Sequence, residues 1–321
     1  CAPYLRLTMT PEAPKPQYRI RNWREYNAAL KQRGSLTFWI DNEVLDGWLN
    51  TTQTGKRGAS ATYSDLAIAT MSTMGSVMHL RGRQTEGFMT SLFQLMGVTL
   101  PVPDHSTVSR RLGKLSIALP VVAGSGARHV VVDSTGIKVY GEGEWKVRQH
   151  GYSKRRTWRK LHLGVDEATG EILAAVVSTN NVSDGEAFGE LMDSIEGEIE
   201  AVSADGAYDQ RKCYDAIAQR GAQAHIPPRE DAQYWEEEGD THARNQALQR
   251  IEAVGRSEWK RESGYHRRSL AETMMFRFKT IFGNTCSRHT FNNQAAELLL
   301  ACAALNRMTH LGMPDSYVLE A

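Results

Sequence analysis

The apolar positions of this chain change their period partway along it. From Tyr63 onward they recur at helical spacing in "SDLAIATMSTMGSVMHL", "TEGFMTSLFQLMG" and, past the Pro-containing turn "VTLPVP", in "DHSTVSRRLGKL". Upstream, "NWREYNAALKQRG" and "DNEVLDGWL" predict short helices, each opened by an Asn or Asp able to cap. Residues 10–22 are Pro-rich and basic and read as an extended arm, and "NTTQTGKRGASA" reads as a loop. "VVAGSGA" (121–127) is a linker, and beyond it the texture becomes that of strands. "HVVVDSTGIKVY" predicts one strand, and "RKLHLGVDEATGEILAAVVST" two more around a turn at Glu167–Gly170. There follow a helix in "SDGEAFGELMDSIEG" capped by Ser183 or Asp184, a strand in "EAVSADGAYD", a helix in "QRKCYDAIAQRG" and a last strand in "AQAHIPP". A polar stretch, 228–257, precedes a helix over "GYHRRSLAETMMFRFKTIFG" (264–283) and an almost wholly apolar, buried one in "QAAELLLACAALNRM".

This order, three strands and then helices alternating with strands, matches a ribonuclease-H-like mixed sheet flanked by helices, preceded by an all-helical region. The expected organisation is an arm over 1–22, a helical DNA-binding region over 23–120, and an α/β domain over 128–310 interrupted by the polar insertion at 228–257. Within the helical region, a helix, a turn with Pro and a capped second helix bearing Arg110, Arg111 and Lys114 resemble a helix-turn-helix, a pattern shared by many helical bundles.

In such a sheet the first and fourth strands lie side by side at the centre. Asp133 ends the apolar run of one and Asp205 that of the other, so both are expected at neighbouring strand ends. Tyr265, Arg268, Glu272 and Lys279 are spaced to share one helical stripe, opposite Leu270, Met274, Phe278 and Ile281. A solvated face laced with ion pairs has the same pattern, and either Asp alone is equally compatible with capping a turn in "DSTG" or "DGAYD". Taken together, three carboxylates converging in a half-buried cleft repel one another. Divalent metal relieves that conflict, and hard oxygen ligands suit Mg²⁺, with Mn²⁺ as a substitute, rather than zinc.

Composition sharpens this picture. The 321 residues are 41% hydrophobic and 23% charged, with a net charge of +1 that conceals a local contrast. "KVRQHGYSKRRTWRKLH" (146–162) holds seven Lys/Arg and no acid, which points to a polyanion approached by one face through Lys154, Arg155, Arg156, Arg159 and Lys160. Four cysteines form no CxxC pair and no zinc spacing, which suits a reduced, cytoplasmic setting. No apolar run approaches the ~20 residues that span a bilayer. Met9 precedes a start-like segment, and residues 1–8 read as an artefact of start-site choice. Asp184 reads as a helix cap before a metal ligand, Asp166 as solvated and Cys213 as core; Trp235 and Trp259 are open to packing or to base stacking.

The spacing Tyr265-x₂-Arg268-x₃-Glu272-x₆-Lys279 resembles the Tyr-Arg-Glu-Lys signature of bacterial insertion-sequence transposases of the DDE type. "VDSTGIKVYGEGEWKVRQHGYSKRRTWRKLHLGVD" and "SADGAYD" are similar to the surroundings of that group's first two aspartates, and "YRIRNWREYNAALKQRGSLTFWID" to the opening of insertion-sequence family five. The resemblance covers nearly the whole chain after Met9. It implies a catalytic and metal-binding triad of Asp133, Asp205 and Glu272, with Tyr265, Arg268 and Lys279 on the DNA backbone near the cut end. It further implies terminal inverted repeats and target DNA as double-stranded partners, a homodimer in the synaptic complex and association with the bacterial nucleoid. A transposase-derived DNA-binding regulator and a nuclease that cuts without joining are the competing expectations.

Overall fold

Among the described residues, the first strand pairs with the last. The structure, a computed structural model, describes residues 17–51, 61–122, 124, 126–139, 158–239 and 241–319. Of the arm, Tyr18–Ile20 forms β1 and pairs antiparallel with β8 (Ser316–Val318). Asn22 closes this clasp: its Nδ2 donates to Met313 O at 2.9 Å and its Oδ1 accepts from Asp315 N at 2.7 Å. That amide therefore makes no capping bond to α1 (Trp23–Arg33), contrary to the sequence expectation. Asp41 does cap as expected, accepting from Val44 N at 3.0 Å. The run continues with α2 (Leu36–Trp39), α3 (Asn42–Asp46), α4 (Asp65–Val77), α5 (Gly82–Leu95) and α6 (His105–Leu112). One isolated bridge, Leu49 with Tyr63, interrupts the helical stretch.

Three consecutive buried valines, 130–132, centre the sheet on β2 (Arg128–Val139). β3 (Trp158–Asp166) and β4 (Ile172–Thr179) follow as antiparallel neighbours, their turn closing at Gly170 with φ +70°, a conformation free of strain only for glycine. β5 (Ile199–Ser203) and β6 (Gln223–His225) add in parallel on the other side, giving the order β4-β3-β2-β5-β6. The expected adjacency of first and fourth strands is the β2–β5 pair. Helices α7 (Asp184–Asp193) and α8 (Arg211–Gln219) alternate with these strands.

The polar stretch contains α9 (Ala243–Val254) and the start of α10 (Arg256–Glu262). Part of its polarity is buried rather than solvated: Arg244, 5% exposed, meets Asp209 at 2.6 Å and stacks over the Trp235 ring at 4.3 Å. A buried ion pair looks like surface when only the sequence is read. The chain then forms α11 (Ser269–Phe282), β7 (Thr285–Cys286) and α12 (Phe291–His310).

Two cores sandwich the sheet. On one face Val130 and Val132 pack with Phe188, Leu191, Val202, Tyr214 and Ile217 of α7, β5 and α8. On the other, Ile137, Leu161 and Leu163 join Met274, Phe278 and Leu305 of α11 and α12. The same second core takes in Trp39, Trp48, Ile68, Met71 and Phe93, so the N-terminal helices share it with the sheet. Among the described residues, no helix is long and apolar enough to cross a membrane.

Candidate active site

An opening along one edge of β2 defines the site. β3 pairs with β2 from Val130 to Lys138. On the opposite edge β5 pairs with residues 128–131 and β7 with Lys138 and Val139, leaving 132–137 with no strand alongside among the described residues. Asp133 lies in this opening. The β2–β5 register reaches Val131↔Ser203; carried on, it brings Asp133 level with Asp205. Only Asp205 leaves its strand as expected. Asp133 is mid-strand, because β2 runs on to Val139 to meet β3 and β7. Asp205 begins the 3₁₀ turn Gly206–Tyr208 and accepts from Ala207 N at 2.9 Å. Its capping role and its position at the opening coexist.

The helix expected over 264–283 is two pieces. Tyr265–Arg268 forms a 3₁₀ turn entered through Gly264 at φ +66°, and α11 begins only at Ser269. In a 3₁₀ turn residues three apart eclipse. Tyr265 and Arg268 accordingly overlap, the guanidinium standing 5.7 Å from the ring centroid. Arg268 then reaches Asp133 Oδ2 at 3.9 Å and bonds Glu272 Oε1. Lys279 follows two turns after Glu272, half buried. Behind this stripe α11 buries Ala271, Met274, Met275 and Phe278, while Leu270 and Ile281 are only half buried.

Burial pushes the Asp133 carboxyl above its usual range; Ser134 N (2.8 Å) and Arg268 pull it back, and Asp205 and Glu272 push it up. Burial likewise raises Tyr265, with Arg268 opposing and the charges of Asp205 and Glu272 adding to the rise. Arg268 loses solvation, but Tyr265, Glu272, Asp133 and Asp205 hold its charge more firmly than usual. Three carboxylates from β2, the end of β5 and α11 thus share one electrostatic site. Among the described residues no three His, Cys, Asp or Glu side chains gather closely enough to hold a metal ion. The donor set still fits a hard cation: it is all oxygen, and one positive group already lies between two of its members.

The remaining candidates are distributed differently. Lys154, Arg155 and Arg156 lie outside the described residues. Arg159 and Lys160 are engaged internally: Arg159 Nε donates to Gln294 at 2.7 Å, and Lys160 Nζ donates to Val182 O at 2.9 Å and lies 3.3 Å from Asp184. Arg110 is exposed on α6, capped by Asp104 through Ser106 N and Thr107 N, both at 2.9 Å. Arg111 turns inward to Asp65 at 2.5 Å and to Tyr63 O. Asp184 accepts from Ser134 Oγ at 3.0 Å; successive side chains alternate across a sheet, so it sits on the face opposite Asp133. Ser183 caps α7 through a capping box with Glu186. Asp166, expected in solvent, is 5% exposed and pairs with Arg128 at 3.2 Å. Cys213 is core. Trp235 lies between Arg244 and Arg211, and Trp259, 6% exposed, packs near the Tyr265 ring.

Sequence reading missed Arg267 and Glu167. Arg267, within the 3₁₀ turn, ion-pairs with Glu167 in the β3–β4 turn, a side chain 10% exposed that also meets His129. Arg267 stood in the signature stretch, but nothing in "DEATGE" indicates that its second carboxylate faces a residue one hundred positions away.

Two family models, each described as a transposase DDE domain, match residues 31–142 and 124–307. Among solved structures, a cryo-EM piggyBac transposase synaptic complex with hairpin DNA shows 10% identity and a TM-score of 0.34, over 88% of this chain and 75% of that one. That likeness is too slight to build on.

Proposed function

This chain belongs to the transposases with a DDE domain, and on that premise we propose that it binds the terminal inverted repeats of an insertion sequence, cleaves there to expose a 3′-hydroxyl, and joins it to target DNA. The observation that carries this reading is the shared site: Asp133 and Glu272 bridged by Arg268, with Asp205 level with Asp133 on the adjoining strand. Its frame has the strand order of a ribonuclease-H-like fold, with the opening in β2 as the cleft. Asp133, Asp205 and Glu272 would hold Mg²⁺ or Mn²⁺, which would supply stabilisation of the charge that develops on the oxygens in phosphoryl transfer. Arg268, once the carboxylates are neutralised otherwise, turns its guanidinium to a DNA phosphate, stacked meanwhile on Tyr265. Lys279 adds a second cation further along the helix. Lys154, Arg155 and Arg156 supply sequence-independent phosphate contacts, while Arg159 and Lys160 fix the strand that leads from them. A homodimer brings two ends together.

Glu272→Gln tests the reading. It keeps size and a hydrogen bond to Arg268 but removes one negative charge. Binding to the element's own ends should persist within a few-fold, while cleavage and joining with Mg²⁺ both vanish, as gel mapping of labelled ends will record. Parent-like cleavage by the variant rejects the triad. A parent that binds its ends yet never cuts with Mg²⁺ or Mn²⁺ is a transposase-derived regulator instead.

A further inference from the structure

The 3₁₀ turn Tyr265–Arg268 packs over β2 and β5, yet what lies beneath it is polar. Val130, Val132 and Val202 face α7 and α8, so by strand alternation His129, Asp133 and Ser203 face the other side of the sheet. There His129 Nε2 lies 2.8 Å from Ser203 Oγ, and its Nδ1 meets Glu167 Oε2. The other oxygen of Glu167 holds Arg267 of the turn. The ring of His225, on β6, stands edge-on to His129 at 5.5 Å and bonds the backbone of Ser263. Ser203 is fully buried, and the side chains of His129 and Glu167 are 20% and 10% exposed. A carboxylate only accepts, so Nδ1 carries the ring proton and Nε2 of the neutral imidazole accepts from the Ser203 hydroxyl. Burial and Arg267 hold His129 below the usual histidine range, against the pull of Glu200 and Asp166, and so favour that neutral ring. One imidazole thus joins three segments of the proposed site: β2, which holds Asp133; β5, which ends two residues before Asp205; and, through Glu167, the turn that holds Arg268. A satisfied polar layer under a fold needs no function of its own. This one differs in what it supports, because none of the turn's residues is buried and the turn lacks an apolar anchor.

Resting on the function proposed above, we propose that His129 is a positioning residue for strand cleavage: by holding Glu167 against the sheet it seats the turn, and so sets where Tyr265 and Arg268 stand relative to Asp133. Two substitutions separate its two bonds. His129→Asn keeps a donor near the place of Nδ1 and loses the reach to Ser203; His129→Gln keeps a polar group near Nε2 and loses the donor to Glu167. Full-length parent and variants are compared on duplexes of the element's own ends with Mg²⁺. His129→Gln should lower kcat for cleavage roughly ten- to a hundredfold, as ångström-scale misplacement does, with KM and end binding within a few-fold of the parent. His129→Asn should stay within a few-fold of the parent in kcat as well. In an Arg267→Ala background His129→Gln should add little, because the turn has already lost its tie to Glu167. Without DNA, amide exchange over 264–268 should quicken in His129→Gln and not in His129→Asn. Equal losses in the two variants, with thermal midpoints falling together, make the imidazole a packing element and overturn the assignment. So does a loss confined to KM, or a His129→Gln effect undiminished in the Arg267→Ala background. Should His129→Gln fail to fold, Arg267→Ala decides alone: its side chain is exposed, and parent-like cleavage and exchange there overturn the assignment. A parent that cleaves nothing with Mg²⁺ or Mn²⁺ is a separate result: it removes the transposition reading, and this inference with it.

Discussion

Two neighbouring arginines on α6 show how little a side chain's identity says about its work. Arg110 is exposed and reaches Thr107 Oγ1 at 3.1 Å, while Arg111 is committed to Asp65 and Tyr63 O. Helical geometry separates them by ~100°, enough to send one to solvent and the other to the start of α4. Arg111→Ala should therefore cost about 1–2 kcal/mol in urea unfolding, mostly through the lost charged hydrogen bonds. Arg110→Ala should change stability by less than about 0.5 kcal/mol and instead lower the preference for the element's ends over random DNA. Reversed outcomes would make Arg110 structural and leave Arg111 to face DNA.

At the scale of elements, the break between the 3₁₀ turn and α11 is what aims the signature. Among the turn's four residues none is buried. Its position depends on side-chain tethers: Arg268 to Asp133, Tyr265 beside Trp259, and Arg267 to Glu167. Glu167 is fixed by its own backbone, N donating to His129 O at 2.9 Å, so the tether ties the turn to the start of β2. Reversing it should displace Tyr265 and Arg268 without touching the carboxylates. We expect Glu167→Arg to slow cleavage roughly ten- to a hundredfold, as misplacement by about an ångström does, with end binding little changed. Adding Arg267→Glu should restore much of the rate. A double variant no better than Glu167→Arg would show that the pair is incidental.

For the molecule as a whole, histidines on two strands of the sheet tie stability to pH. Burial holds His162 and His225 below the usual histidine range; Asp184 opposes for His162 and Lys160 reinforces, while His129 reinforces for His225. Among the described residues, the Nδ1 atoms of both are buried without a hydrogen-bond partner. Below their ordinary value of 6.5 the unfolded chain takes up protons that the folded one refuses, so their contribution is complete above that pH and fades as pH falls through it. Thermal midpoints measured from about pH 8 to about pH 5 should decline below roughly 6.5. His162→Gln, which keeps a group able to bond Ser178, should flatten the decline; an unchanged slope would place the acid sensitivity elsewhere.

Elements and strand order were legible in the sequence because they depend on local periodicity: the valines of β2, the capping residues of α3, α6 and α7, and the apolar length of α12 each state their own conformation. The placement of Asp133, Asp205 and Glu272 in one region followed once strand order was known, since adjacency of the first and fourth strands fixes two of the three. What periodicity could not decide was every interaction between distant segments. Only the folded sheet set β7 beyond β5 on the same edge and so left the opening at Asp133. Only packing turned Arg111, Arg159 and Lys160 inward, buried Asp166 and Arg244 with their partners, and split the signature into a 3₁₀ turn and a helix. Charge in a sequence carries no address. Whether a cation meets solvent, DNA or a buried carboxylate depends on what the rest of the chain brings within a few ångströms, and that is decided by tertiary contact alone.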